Sequence, residues 1–396
     1  MITATGKPER VWRECRLGDH VLINSRSIDK NYPHTEIEYL DTGSITQGKI
    51  ETLQHFQLAD APSRAKRIVK DDDIVLSMVR PIQRHYGFLK NVLPNMIAST
   101  GFVVLTCKDD VDPYFLYSFL TQEDTTEYLD MIAEGATSTY PAFTPDVVEN
   151  ISINLPPLPE QRAIAAVLSS LDDKIDFLHR QNNTLEGMVF ALWRKMFIEE
   201  AAPVWKKGKL GDIAEINPLR SLKKGQVATY LDMANMPTSG TFPLDWIPRC
   251  YTSGMKFKNG DTIIARITPC LENGKTAYIN FLNDNEIAWG STEYVVLSSK
   301  TGVCSEWFYF LARYNDFRDF AIQNMTGTSG RQRVSGDSIS QYEMAIPPIK
   351  VSDEFKLFAV PVMEHIKRNS LQIRTLSKTR DTLLPKLMSG EVRVRI

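Results

Sequence analysis

The chain has 396 residues, 43% of them hydrophobic, and a formal net charge of −2. That length suggests two or more domains with apolar material for two cores, and the near-neutral charge gives the whole chain no nucleic-acid footprint. No apolar run reaches the roughly 18 residues that a membrane span needs, and Met1-Ile2-Thr3-Ala4-Thr5-Gly6-Lys7 lacks the apolar stretch of a signal peptide. Five widely spaced cysteines (Cys15, Cys107, Cys250, Cys270, Cys304) with no C-x-x-C pair argue against a disulfide framework or a zinc site and for a reducing cytoplasm.

In chain order, the first region is mixed. Ile74-Val75-Leu76 and Phe102-Val103-Val104-Leu105 read as short buried strands. Asp112-Pro113-Tyr114-Phe115-Leu116-Tyr117-Ser118-Phe119-Leu120 reads as a helix with Asp112 at the N-cap and Pro113 at the first helical position. Pro156-Pro157 closes the region, and a long helix follows Leu158-Pro159-Glu160. The same order then recurs. Trp12…Leu17-Gly18-Asp19 returns as Trp205…Leu210-Gly211-Asp212, an offset of 193. Asp73–Pro81 returns as Asp261–Pro269 (offset 188), Ser99–Leu105 as Ser291–Leu297 (192), and Pro156-Pro157 as Pro347-Pro348 (191). Four weak matches in one order at nearly constant offset indicate a duplication, with loop insertions and deletions between them. In the second copy Ser305–Leu311 reads as the equivalent helix, with Ser305 at its N-cap. Strands and helices mix without regular βαβ alternation, so each copy is expected to be an α+β domain. The expected boundaries are 1–157 and 200–350 for the two domains, with helical segments at 158–199 and 351–396.

The first long helix carries apolar residues at Ile164, Leu168, Leu171, Ile175, Leu178, Leu185, Val189, Leu192 and Met196, with Asn182 in the single polar slot. Steps of four and three alternate throughout, which makes a heptad seam. The second helix repeats it with Phe355, Ala359, Val362, Ile366, Asn369, Ile373, Leu376, Arg380, Leu383 and Leu387. The two helices are expected to pack as an antiparallel coiled coil; with Ile164 near Leu387, paired positions sum to 551, and Asn182 falls opposite Asn369. Two facing amides inside an apolar seam would fix the register. Pro361 predicts a kink or a late start of the second helix. The 33 residues from Ile164 to Met196 span roughly 50 Å at the helical rise, which suits a spacer between two domains.

Leu155-Pro156-Pro157-Leu158-Pro159-Glu160-Gln161-Arg162-Ala163-Ile164-Ala165, the following Leu171-Asp172-Asp173-Lys174-Ile175, and Gly135-Ala136-Thr137-Ser138 before them resemble the conserved region of type I restriction-modification specificity subunits. Leu384-Pro385-Lys386-Leu387-Met388-Ser389-Gly390-Glu391-Val392-Arg393 resembles the family's C-terminal ending. The second copy departs from the pattern, with Lys350-Val351-Ser352-Asp353-Glu354 after its Pro-Pro boundary. The resemblance implies that each mixed region is a target recognition domain reading one half of a bipartite, asymmetric site in double-stranded DNA. It implies that the helices set the spacing and dock two adenine-N6 methyltransferase subunits, with two restriction subunits completing the complex. The chain would be non-catalytic, and S-adenosylmethionine, ATP and magnesium would be held by the partners. Independently, the sequence has no G-x-x-x-x-G-K-[ST] loop and no Asn-Pro-Pro-aromatic motif; Asn217-Pro218-Leu219 is a fragment only. Glu354-Phe355-Lys356 has nuclease-like spacing but lies in the heptad helix without a partner acid upstream. A fused nuclease or methyltransferase, and a peptide-binding scaffold, are the competing expectations.

Base reading needs Arg, Lys, Asn, Gln, Ser or Thr on projecting loops. In the second copy Gly327-Thr328-Ser329-Gly330-Arg331-Gln332-Arg333 is the first candidate, with Thr328, Ser329, Arg331, Gln332 and Arg333 as contacts. Its counterpart is the loop with Thr137, Ser138 and Tyr140, which has no basic residue. A second candidate pair follows the strand after each repeated aspartate: Arg80, Gln83, Arg84, His85 and Tyr86 in one copy, Arg266, Thr268, Asn273 and Lys275 in the other. Regional charge separates the copies, since residues 1–155 hold 15 basic and 22 acidic groups (net −7) and residues 204–350 hold 17 and 14 (net +3). DNA contacts of the first domain must then be local, at Arg64, Lys66, Arg67 and Lys70 or around Arg80.

Overall fold

A computed structural model describes residues 12–135, 141–300 and 302–394. The chain forms two compact units, Met1–Asp173 with Lys378–Ile396, and Lys174–Ser377. In the first unit the strands Val21–Ile23, Phe102–Cys107, Ile74–Ser77 and Tyr86–Phe88 lie side by side in that order, all antiparallel. Ile74-Val75-Leu76 and Phe102–Leu105 are buried on both faces, which is why they read as unbroken apolar runs. The alternation of the pleat divides them between two cores. Ile74, Leu76, Val103 and Leu105 pack on the helix Pro113–Thr121 through Phe115 and Leu116. Val75, Phe102 and Val104 pack on a second sheet through Leu40, Met96 and Ala98. That sheet has the order Gln54–Gln57, Glu36–Leu40, Met96–Ser99, Ala65–Ile68, and its central pair is parallel.

The second unit repeats this strand for strand. Its sheets run Ala214–Ile216, Tyr294–Ser299, Thr262–Ala265, Thr276–Tyr278 and Ile247–Cys250, Val227–Leu231, Ala288–Gly290, Met255–Phe257, again with a parallel central pair. In each unit a two-stranded ribbon joins the start of the mixed region to its end: Arg13–Arg16 with Ser152–Leu155, and Lys207–Lys209 with Glu343–Ala345. The architecture is therefore α+β and duplicated.

Buried polar groups are duplicated too. Asp73, fully buried, accepts from Thr106 Oγ1 (2.6 Å) and Lys70 N (2.8 Å) and pairs with Arg26. Asp261 does the same with Ser298 Oγ (2.8 Å), Lys258 N (2.7 Å) and Arg220. Asn24 and Asn217 both take the left-handed conformation and accept from Val104 N and Val296 N. Asparagine tolerates that conformation because its short amide bonds locally.

The first long helix covers Leu158–Arg194 and ends in a π-helical turn, Lys195–Glu199. It starts at Leu158, before Glu160, since Pro159 in the first turn lacks only an N–H that would be unpaired anyway. All its seam positions are buried or half-buried. The second helix covers Ile349–Met388 without interruption. The late start expected from Pro361 does not occur. Pro361 is on the exposed side, and the carbonyl it deprives belongs to Leu357, itself 79% exposed, where water can substitute. The two helices pack antiparallel. Within the second unit Asn369 Nδ2 donates to Asn182 Oδ1 and to Gln181 Oε1, both at 2.9 Å, and Asn182 Nδ2 donates to Ser370 Oγ at 3.1 Å. Within the first unit Arg380 donates to Asp172 Oδ1 at 2.7 Å, and Leu383 and Leu387 share a core with Ile164 and Leu168.

Asp112 caps its helix through Tyr114 N and Phe115 N. Ser305 does not cap its counterpart. Cys304 is the N-cap, and the Ser305 hydroxyl lies 2.9 Å from the Tyr278 hydroxyl instead. All five cysteines are free. Burial pushes the thiol of Cys107 up to about 12 and that of Cys304 up to about 11, whereas Cys250 is exposed. An iodoacetamide time course at pH 8 read by peptide mass spectrometry is expected to alkylate Cys250 well before Cys107 or Cys304, because only thiolate reacts. Labelling of all three at one rate would contradict this packing. Among the described residues there is no group of three or more metal-binding side chains, and no helix is long and apolar enough to cross a membrane.

Candidate nucleic-acid interface

In the second unit the two loops singled out by sequence form one surface. Thr326 and Arg333 pair as antiparallel residues, and Arg331 N donates to Thr328 O at 3.0 Å, which makes Thr328–Arg331 a tight turn. Gly330 supplies the positive φ (+76°) that the turn demands. The turn's base is stitched to the strand end after Asp261: Thr268 N donates to Gln332 O (3.1 Å) and Val334 N to Arg266 O (3.0 Å). Thr328, Ser329 and Arg331 are exposed, and Gln332 is half-buried.

The basic residues of this surface are not equivalent. Arg333 is held by Glu293, which accepts from its Nε and Nη2 at 2.8–2.9 Å, while Nη1 donates to Arg331 O. Arg266 lies beside the same carboxylate, with its Nε 4.0 Å away and buried without a hydrogen-bond partner. Lys275 donates to Met233 O at 2.6 Å. Among the described residues, Arg331 alone of these four makes no side-chain hydrogen bond or ion pair, and it is exposed. Thr268 is half-buried and Asn273 exposed.

The first unit has the same scaffold with other side chains. Arg80 N donates to Pro141 O (3.1 Å) and Phe143 N to Met78 O (3.0 Å), the counterparts of the two stitches above. Arg80 and Arg84 both have positive φ (47° and 57°) and bracket a 3₁₀ turn, Pro81–Gln83. Such values cost a non-glycine residue of order 1 kcal/mol each, and outside bonds maintain them. Gln47 N donates to Arg84 O, Ile82 N to Asp130 Oδ1, and the Arg84 side chain pairs with Glu123. Arg80, Ile82 and Gln83 project from this rigid turn, exposed. His85 and Tyr86 point inward. His85 Nδ1 is 2.7 Å from Ile45 O, and Tyr86 packs edge-on against Tyr117 with its hydroxyl pKa raised by burial. Thr137, Ser138 and Tyr140 lie outside the described residues. Arg64, Lys66, Arg67 and Lys70 fall on or beside the strand Ala65–Ile68, where Arg67 reaches Ser27 Oγ (3.4 Å).

Sequence reasoning missed Glu293. The signal was in the repeat itself. The stitches equate Met78, Gly101 and Ala142 of the first unit with Arg266, Glu293 and Arg333 of the second. Three positions change together from uncharged to charged, with the acid between the two bases. The surface can thus offer a rigid turn, one free guanidinium and several hydroxyl and amide groups, a set that suits hydrogen bonding to base edges or phosphate.

Comparison with known proteins gives concordant likenesses. Residues 10–187 match the family model described as the type I restriction modification DNA specificity domain. The chain is 25% identical to the type I restriction enzyme HindI specificity subunit of Haemophilus influenzae, over 96% of this chain and 99% of that protein. It is 27% identical to the MjaIX specificity subunit of Methanocaldococcus jannaschii, over 83% of this chain and 79% of that protein. In fold it resembles the crystal structure of the type I restriction-modification system S subunit from M. genitalium, with a TM-score of 0.58 at 15% identity, over 96% of this chain and 97% of that one.

Proposed function

Since the chain belongs to the family of type I restriction-modification specificity subunits, we propose that it reads a bipartite, asymmetric DNA site, one half with each of its duplicated domains. The subunit is a DNA-recognition component and not an enzyme. The observation that carries the bipartite reading is that one scaffold occurs twice with different side chains on the same loops. Two copies of one fold with unlike reading surfaces suit two unlike half-sites. The recognition domains correspond to 1–157 and 200–350, and the helical segments 158–199 and 351–396 set the spacing between half-sites. The same helices would dock two adenine-N6 methyltransferase subunits, to which two restriction subunits add. S-adenosylmethionine, ATP and magnesium then belong to those partners, and the assembly works in the cytoplasm.

In the second domain Arg331 is the principal reader, with Thr328, Ser329 and Gln332 beside it. Arg333 and Arg266 shape the turn through Glu293, and Lys275 braces the loop next to it. In the first domain Arg80 and Gln83 read from the 3₁₀ turn together with Thr137, Ser138 and Tyr140, while Arg84, His85 and Tyr86 hold that turn in place. The test is methylation by the chain assembled with its methyltransferase. Arg331→Ala is expected to relax specificity at one position of one half-site, with a loss of about 1–3 kcal/mol on the original target. A uniform loss on every sequence with a shallower salt dependence would make Arg331 a phosphate contact. Unchanged methylation would remove it from the interface.

A further inference from the structure

Resting on that reading, we infer that the second domain grips DNA through a second surface, the outer face of the sheet Ile247–Cys250, Val227–Leu231, Ala288–Gly290, Met255–Phe257, and that its ligand there is the phosphate backbone of the duplex.

The inner face of this sheet is core, built on Leu231, Ala288 and Phe257. The outer face is a layer of aromatic rings carrying cations. Tyr230 and Trp289 are paired neighbours with ring centroids 4.4 Å apart, and Tyr251 meets Trp289 edge-on at 5.3 Å. The Arg249 guanidinium lies 4.7 Å from the Tyr230 ring centre, and Lys256 Nζ lies 5.1 Å from that of Tyr251. Arg249 is exposed, and among the described residues neither its guanidinium nor the Lys256 ammonium has a carboxylate partner. The rings fix the cations in place without neutralising them. Residues 221–231 and 247–258 contain Lys223, Lys224, Arg249, Lys256 and Lys258 and not one Asp or Glu. Asp284 and Glu286, just before the strand Ala288–Gly290, offset part of this charge, Glu286 accepting from Thr229 Oγ1 at 2.5 Å. The remaining excess of cations complements a polyanion.

The first unit shows that the fold does not require this. There the positions paired like Tyr230 and Trp289 are Tyr39 and Ile97. They lie in a small apolar core, under Ile28, Tyr32 and Leu58. The same face is covered by apolar residues in one copy, whereas in the other Trp289 (3% exposed) is overlaid by half-buried rings with Arg249 exposed above them. It is also continuous with the reading surface. Trp289 precedes Glu293, the residue that holds Arg333, by four positions, at most about 14 Å of chain. A duplex seated on the Arg331 turn would have its backbone within reach of this face.

The test uses Arg249→Gln with Lys256→Gln, which removes both charges and keeps the apolar stems over the rings. Binding of the assembled complex is measured against salt on its target and on a scrambled duplex. The slope of log K against log salt is expected to fall by about 0.9 per phosphate contact, so by about 1.8 for the pair. The loss should be equal on both duplexes, with circular dichroism unchanged, and Arg249→Lys should restore it. An unchanged slope with target binding intact overturns this inference alone and leaves the reading of the Arg331 turn standing. A loss confined to the target overturns it by making the face a base reader. Loss of the methyltransferase from the purified complex overturns it by placing a protein there. Absence of DNA binding by the wild-type complex overturns both.

Discussion

Asp261→Ala is expected to destabilise the second unit by about 3–5 kcal/mol, because it leaves a guanidinium buried without its counter-charge. Arg220 is 8% exposed and Asp261 1% at the side chain, and the pair is bidentate, at 2.6 Å and 2.8 Å. Ser298 Oγ and Lys258 N lose the same acceptor. The effect can be read by urea denaturation followed by tryptophan fluorescence, since Trp193, Trp205, Trp246, Trp289 and Trp307, five of the six tryptophans, lie in this unit. The repeat supplies an internal control. Arg26, the partner of Asp73, is 32% exposed and can recover water when its acid is removed. Asp73→Ala is therefore expected to cost less in the first unit. Replacing both members by apolar residues, Arg220→Met with Asp261→Leu, is expected to be milder than Asp261→Ala alone. If Asp261→Ala shifts the midpoint by less than 1 kcal/mol equivalent, the pair is not the anchor its burial indicates.

Arg393→Ala is expected to cost the first unit about 3 kcal/mol, by the same physics in a different place. Glu160 sits in the first turn of the long helix with its side chain 1% exposed. Arg393 forks onto it, with Nη2 donating to Oε2 at 2.7 Å, and covers the Trp12 ring at 5.6 Å. The helix N-terminus favours the carboxylate but cannot replace the bidentate pair. Hydrogen exchange along Phe102–Cys107, a central strand of this unit, reads its stability directly. Glu160→Gln in the Arg393→Ala background should recover part of the loss, since an amide needs no counter-charge. Faster exchange confined to the last few residues, with the strand unchanged, would reduce Arg393 to a local tie.

Much of the fold was legible because its signals are periodic or local. The heptad seam shows in the sequence since one face of each helix repeats every three or four residues. With two polar amides in apolar slots, a single antiparallel register satisfies both, and Asn182 and Asn369 bond in it. The Asp112 cap is equally local. Less legible features depended on neighbours far along the chain. Ser305 has the chemistry of a cap, but Tyr278 engages its hydroxyl. Pro361 has the chemistry of a helix break, but its position on the solvent side lets the helix continue. His85 and Tyr86 look like readers and are turned inward by Ile45 and Tyr117.

By itself the sequence determined the duplication, the α+β content of each copy, the two heptad seams and, once the pair is antiparallel, their register. These follow from patterns that any observer of the chain can count. Only the tertiary structure decided which charges are free. Arg331 and Arg333 are two residues apart and indistinguishable in sequence, yet Arg333 is neutralised by a carboxylate 40 positions away and Arg331 is not. The reason is physical: an ion pair forms across about 3 Å of space, and the fold alone sets which distant residues come that close.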